Sequence, residues 1–197
     1  MNIQKISEKD LVHSTWAGGT TTQVYISPEN SVFTERKFDF RISSAVVAIE
    51  ESDFTLFPGF SRILMVLEGE LEIFHEGQFS KVLQPFESYH FSGDWKTSAK
   101  GKVIDFNLIM REGISGEMNY ISLKANSGEQ VILQNDTSSS ALTVGYYLVS
   151  GGVQIHLNQE EYELEKGGMI LIESNFEVDK IGLVGIGELI EILIFFL

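Results

Sequence analysis

One stretch of this chain occurs twice, and that repeat constrains the fold more than any other feature. Set side by side, 64-LMVLEGELEIFHEGQFSKVLQPFE-87 and 146-YYLVSGGVQIHLNQEEYELEKGGM-169 keep a constant offset of 82 residues, which places Gly69 on Gly151, Leu71 on Val153, Ile73 on Ile155 and Val82 on Leu164. Each copy reads as an apolar strand, a glycine turn, a second strand with a polar tip and a third short strand. A turn marked by Pro85-Phe86 or Gly167-Gly168 closes it.

Further strand-like runs lie at 22–27, 38–47 and 103–110, and the copies bring others at 62–69, 71–75, 144–150, 153–157 and 169–173. Helical periodicity is scarce, and Gly, Pro, Asn, Asp and Ser punctuate the runs. The pattern predicts an all-β chain, and the repeat makes it a bicupin: two double-stranded β-helix (cupin) barrels in one chain. Residues 1–115 form the N-terminal half, with a candidate ligand pocket, and 116–197 the C-terminal half, structural or dimerising. The segment 111-REGISGEMNY-120 serves as the connection and 134-QNDTSSS-140 as a surface loop. The apolar tail 181-IGLVGIGELIEILIFFL-197 contains Glu188 and Glu191 and falls short of the roughly 20 clean residues of a membrane span. It reads as a buried closing strand, with or without a turn of helix before it.

Acidic residues outnumber basic ones by 28 to 14, a formal net charge of −14, and no basic run interrupts the excess. Such a field opposes phosphate backbones and anionic lipid, so neither nucleic acid nor membrane is an expected partner. A small anionic metabolite stays admissible only where local arginines overcome the long-range field. There is no cysteine, which excludes disulfides, thiolate catalysis and thiolate metal sites. MNIQKISEKDLV carries no apolar secretory core, and the expected location is cytoplasmic.

Many cupins hold a metal through a His-x-His pair, a nearby Glu and a later His. Here the four histidines, His13, His75, His90 and His156, are far apart in sequence, and 54-FTLFPGFSRILMVLEG-69 contains none. No metal or other cofactor is expected. His90 is kept as a candidate pocket residue.

The polar residues inside the strands are more telling. In 38-FDFRISSAV-46, strict alternation puts Asp39, Arg41 and Ser43 on one face and Phe38, Phe40, Ile42 and Ser44 on the other. In 104-IDFNLIM-110, Asp105 and Asn107 share a face, and Arg62 opens a third strand beside Leu64 and Val66. Either Arg41 pairs with Asp39 or Asp105 and merely ties strands together, or its planar fork of donors receives a carboxylate or phosphate. Upstream, 14-STWAGGTTTQVYI-26 adds Trp16, a Gly18-Gly19 turn, Thr21 and Gln23. No helix follows those glycines, which excludes a dinucleotide or P-loop site.

Taken in order, 16-WAGGTTTQ-23, 38-FDFRIS-43, 53-DFTLFPGFSRILMVLEGE-70, 91-FSGD-94 and 105-DFNLIMREG-113 resemble the HutD/Ves family of small bicupin proteins associated with histidine utilisation. The resemblance covers roughly the first 115 residues well. It implies a pocket in the N-terminal half for a small acidic molecule such as formylglutamate, in a regulatory setting. Arg41, Ser43, Arg62, Asp105 and Asn107 are the matching polar positions, with Trp16, Gly19 and Thr21 beside them. The family's Glu is Gln23 here, and its Trp-x-Asn-Gly-Gly-Gly is shortened to Trp16-Ala17-Gly18-Gly19.

The leading expectation is therefore a metal-free protein that binds a small carboxylate, regulatory or accessory to histidine or amino-acid catabolism. The alternative is an isomerase or hydrolase of a small acid with Asp105 or His90 as acid or base. A third reading gives the apolar tail a place within the fold or in a homodimer interface.

Overall fold

The computed structural model describes residues 2–124, 128–131, 141–174 and 181–196, and these are almost wholly β. The loop expected at 134–140 lies outside the described residues. No helix among them is long and apolar enough to cross a membrane.

The strands run, in chain order, β1 (Asn2–Ile6), β2 (Val12–Trp16), β3 (Gly19–Ser27), β4 (Phe40–Val47), β5 (Glu51–Asp53), β6 (Phe60–Glu68), β7 (Leu71–His75), β8 (Ser80–Leu83), β9 (Ser88–Ser92), β10 (Thr97–Lys100) and β11 (Val103–Arg111). They continue with β12 (Ile114–Leu123), β13 (Gly128–Val131), β14 (Ala141–Leu157), β15 (Glu160–Leu164), β16 (Met169–Ser174) and β17 (Ile181–Phe196). Two compact units result, one from Leu11–Ile114 and one from Met1–Asp10 with Ser115–Leu197. The head of the chain enters the second unit because β1 pairs antiparallel with β16. Residues 115–120, expected as a connection, lie in β12.

The Leu11–Ile114 unit contains a six-stranded sheet, β2-β3-β4-β11-β6-β9, and a four-stranded one, β5-β10-β7-β8. Leu64, Val66, Leu71, Ile73, Leu83, Phe91 and Val103 form one buried cluster, and Ile26, Phe38, Phe57 and Ile109 another. In the other unit the core comes mainly from β14, β16 and β17, including Val144, Tyr146, Leu148, Ile172 and Leu189. The tail is a continuous strand over Ile181–Phe196, with no turn of helix inside it.

The repeat predicted from sequence has a structural counterpart. Gly69 and Gly151 both adopt positive φ, 89° and 88°, a region that L side chains rarely enter. A Cβ at either would also strike a facing carbonyl, Lys102 O at 2.5 Å or Ile186 O at 2.1 Å. The closing turns match as well: Phe86 N donates to Val66 O at 2.7 Å and Gly167 N to Leu148 O at 2.8 Å. Past the hairpin, however, the offset slips by one. Leu71 faces Leu83 while Val153 faces Leu164, so the counterpart of Leu164 is Leu83 rather than Val82. Burial agrees, since Leu83 is fully buried and Val82 is 46% exposed.

Candidate functional site

Strand β11 lies between β4 and β6 and pairs antiparallel with both, so one face of the three strands forms straight cross-strand rows. The first row is Arg41–Ile109–Arg62, the second Ser43–Asn107–Leu64 and the third Ala45–Asp105–Val66. Alternation drives this arrangement: the other face of β4 and β11 holds Phe40, Ile42, Phe106 and Leu108, whose burial fixes the register and turns the polar set inward.

A cavity of about 380 Å³ opens on these rows. Arg41, Ser43, Arg62, Asp105 and Asn107 line it, with Thr21 and Trp16 also on its wall. The walls also include the aromatic rings of Phe33, Phe54 and Phe57 and the hydroxyls of Ser14, Ser52 and Thr55, which strand alternation does not single out. Phe54 and Phe57 stand in 53-DFTLFPGFSRILMVLEGE-70, where an irregular backbone gives no alternation from which to read a facing.

Arg41 and Arg62 are each 7% exposed, and among the described residues neither makes an ion pair. Asp39, one expected partner of Arg41, instead accepts from Arg111 Nε at 2.6 Å. Arg41 is held by neutral groups: its Nε donates to Gln23 Oε1 at 2.8 Å and its Nη1 to Ser43 Oγ at 3.1 Å, with the charge 4.0 Å over the Phe33 ring. Its Nη2 has no protein acceptor among the described residues. Arg62 Nη2 donates to Asn107 Oδ1 at 3.0 Å, and its guanidinium lies 4.7 Å from the Phe54 ring and 5.2 Å from Phe91. Its Nε is buried with no hydrogen-bond partner.

Burying a cation without a counter-charge costs several kcal/mol even after relaxation, and cation–π contacts of about 0.5–2 kcal/mol offset only part of it. Burial accordingly lowers both guanidiniums to about 10, with Asp105 holding Arg62 up and Arg41 pushing it down. Both stay charged near neutrality.

Asp105 is 3% exposed and accepts from Asn107 Nδ2 at 2.7 Å. Burial raises its carboxyl to about 6, against the opposing pull of the Asn107 hydrogen bond and the Arg62 charge. Asn107 thus links Arg62 to Asp105 through its amide.

The remaining expected site residues lie elsewhere. Gln23 does not line the cavity but orients Arg41 from β3. Gly19 serves strand packing: a Cβ there would sit 1.8 Å from Val46 O. Trp16 forms part of the rim, its indole folded over Gly18. His90 is corrected. It is exposed on β9 between the inward Tyr89 and Phe91, so alternation turns it away from the cavity and into a separate shallow groove with Ser61, Ser92 and Asp94.

His75, not singled out from sequence, is buried against Phe79, Tyr89, Phe91 and Trp95. Thr97 Oγ1 donates to Trp95 O at 3.0 Å, so it accepts from His75 Nδ1 at 2.9 Å and leaves Nε2 to accept from the Tyr89 hydroxyl at 2.9 Å. Both ring nitrogens are satisfied in the neutral form, and burial lowers the ring's pKa. Among the described residues no group of three or more His, Asp or Glu side chains is placed to hold a metal ion.

The second unit carries the same rows with different chemistry. Val144, Tyr146 and Leu148 stand at the offset of 82 from Arg62, Leu64 and Val66, and they face Leu193, Glu191 and Leu189. Where Asp105 and Arg62 would recur, the chain has Leu189 and Val144, both fully buried. Tyr146 fills the interior and donates its hydroxyl to Glu191 Oε1 at 3.0 Å. Among the described residues the cationic pair belongs to the first unit.

Comparison with known proteins adds the following. A family model described as HutD matches residues 8–184. A relative from Pseudomonas putida, described as an uncharacterized 21.2 kDa protein in the hutC 3′ region, is 42% identical over 112 residues, which span 54% of this chain and 57% of that relative. Among solved structures, HutD from Pseudomonas fluorescens SBW25 superposes with a TM-score of 0.74 at 23% identity, covering 97% of this chain and 98% of that one. YhhW from Escherichia coli, of the cupin fold, gives a TM-score of 0.69 at 11% identity over 100% of this chain and 98% of its own.

Proposed function

We propose that this chain, which belongs to the HutD family, binds a small carboxylate metabolite of the formylglutamate kind in its Arg41–Arg62 pocket, as a regulatory or accessory protein of histidine or amino-acid catabolism. The family is linked to histidine-utilisation genes, the P. putida relative being described by its place beside hutC.

One observation carries the reading. Two guanidiniums are buried in a single cavity, neutral side chains hold them in place, and no carboxylate among the described residues pairs with either. A carboxylate guest would supply the missing counter-charge and meet the idle Nη2 of Arg41. Ser43, Thr21 and Asn107 offer neutral hydrogen bonds around it.

Calorimetry with formylglutamate, glutamate and related diacids tests this. Saturable heat for at least one of them, lost in Arg41→Ala, is expected; undetectable heat for all of them in the wild type contradicts it.

A second reading, an enzyme acting on a small acid, is favoured by Asp105, whose carboxyl sits at about 6 inside the cavity and so is poised for general-base work near neutrality. Its signature is turnover of a bound acid that Asp105→Asn abolishes. Binding without turnover leaves the first reading.

A further inference from the structure

Anion capture by the two arginines leaves Asp105 unexplained. A carboxylate in a pocket for carboxylates opposes the guest, yet this one lies in the row next but one to both guanidiniums. Its neighbours across β4 and β6, Ala45 and Val66, cannot answer a charge. The ionisable groups lining the cavity are Arg41 on β4, Arg62 on β6, Asp53 on β5 and Asp105 itself, and of these Asp53 is exposed.

The buried set therefore carries two positive charges and, when Asp105 is ionised, one negative. A monoanion balances it. A dianion leaves one uncompensated negative charge at low dielectric, which is expensive. A proton on Asp105 removes that charge and turns the carboxyl from a repelling acceptor into an O–H donor. Burial has already raised the group to about 6 in the empty pocket, so the proton is readily supplied near neutrality.

We propose that the pocket takes up a dianionic acid together with one proton, which Asp105 receives. The inference rests on the carboxylate-binding reading above and adds to it the charge class of the guest and the proton stoichiometry.

The test is calorimetry of N-formyl-L-glutamate into the intact protein near pH 7, in Pipes and in Tris, whose ionisation heats differ widely. The apparent enthalpy should differ between the buffers by the amount that corresponds to about one proton taken up per guest. Affinity should strengthen toward tenfold per pH unit as the pH is lowered from about 8 to about 7. Butyrate, a monoanion, should exchange no proton. Both signatures should vanish in Asp105→Asn, a near-isosteric change whose folding circular dichroism checks, and the wild-type buffer comparison decides the matter even where that variant misfolds. Saturable binding of the diacid without proton exchange overturns the coupling and leaves the carboxylate reading standing, as does uptake undiminished in Asp105→Asn. No binding of either acid to the wild type removes both.

Discussion

Arg41 and Arg62 stand on either side of Ile109 in one cross-strand row, the first on β4 and the second on β6. Each is anchored by neutral partners, Gln23 and Ser43 for Arg41 and Asn107 for Arg62. The row concentrates positive charge inside a protein whose net charge is −14.

Two buried guanidiniums face a single carboxylate, Asp105, and this excess of positive charge lowers stability, so Arg62→Met should raise it by about 1–3 kcal/mol while removing carboxylate binding. Thermal and denaturant unfolding, set beside calorimetry, measure the two together. A less stable variant that still binds would show that Arg62 serves the fold instead.

Gln23 sets the charge around Arg41. In Gln23→Glu a carboxylate takes the place of the amide that accepts from Arg41 Nε at 2.8 Å. The guanidinium then has a permanent counter-ion, and affinity for an external carboxylate should fall about tenfold or more, roughly 1.4 kcal/mol or above. A titration showing unchanged affinity would mean that Arg41 contributes little charge to binding.

Two buried groups give stability opposite pH dependences. Asp105 is raised from 3.8 to about 6 on folding, so its favourable contribution is present at low pH and is lost as the pH rises through that window. Asp105→Asn should therefore match the wild type near pH 4 and exceed it near pH 7, by about 3 kcal/mol at most. His75 is lowered from 6.5, so its contribution holds above that value and is lost as the pH falls below it. Urea unfolding across pH in Asp105→Asn and His75→Phe separates the two; identical profiles in wild type and variants would contradict both assignments.

The one-residue slip in the repeat is testable by deletion of methyl groups. Leu83→Ala should cost about 2–5 kcal/mol, whereas Val82→Ala should stay within about 0.5 kcal/mol because its side chain faces outward. Equal losses at the two positions would restore the constant offset of 82.

Much of the site was legible in the sequence because alternation is a local rule. Once 38–46 and 104–110 are read as strands, the facing of Arg41 and Ser43 and of Asp105 and Asn107 follows, and the buried aliphatic face makes a slip costly. What lay beyond reach came from register and from exposure. The contact of Gln23 with Arg41 depends on a bulge between Gln23 and Tyr25 that no local pattern announces. Strand β2 leaves no signal in the sequence, because all five of its residues are exposed and form no apolar stripe. Gly151 divides the sequence pattern into two runs, 144–150 and 153–157, as a hairpin turn would; the chain instead passes through it as β14, with β17 alongside both halves. Residue type alone points His90 toward the pocket, whereas the aromatic residues on either side of it imply an outward facing.

The most direct measurement is a crystal structure with N-formyl-L-glutamate soaked to saturation. The account predicts density for the acid in the cavity of the first unit, with a carboxylate oxygen within hydrogen-bond distance of Arg41 Nη2 and the Arg62 guanidinium close to the guest. Density for the acid at another place, or a saturated crystal with only water beside Arg41, would contradict it.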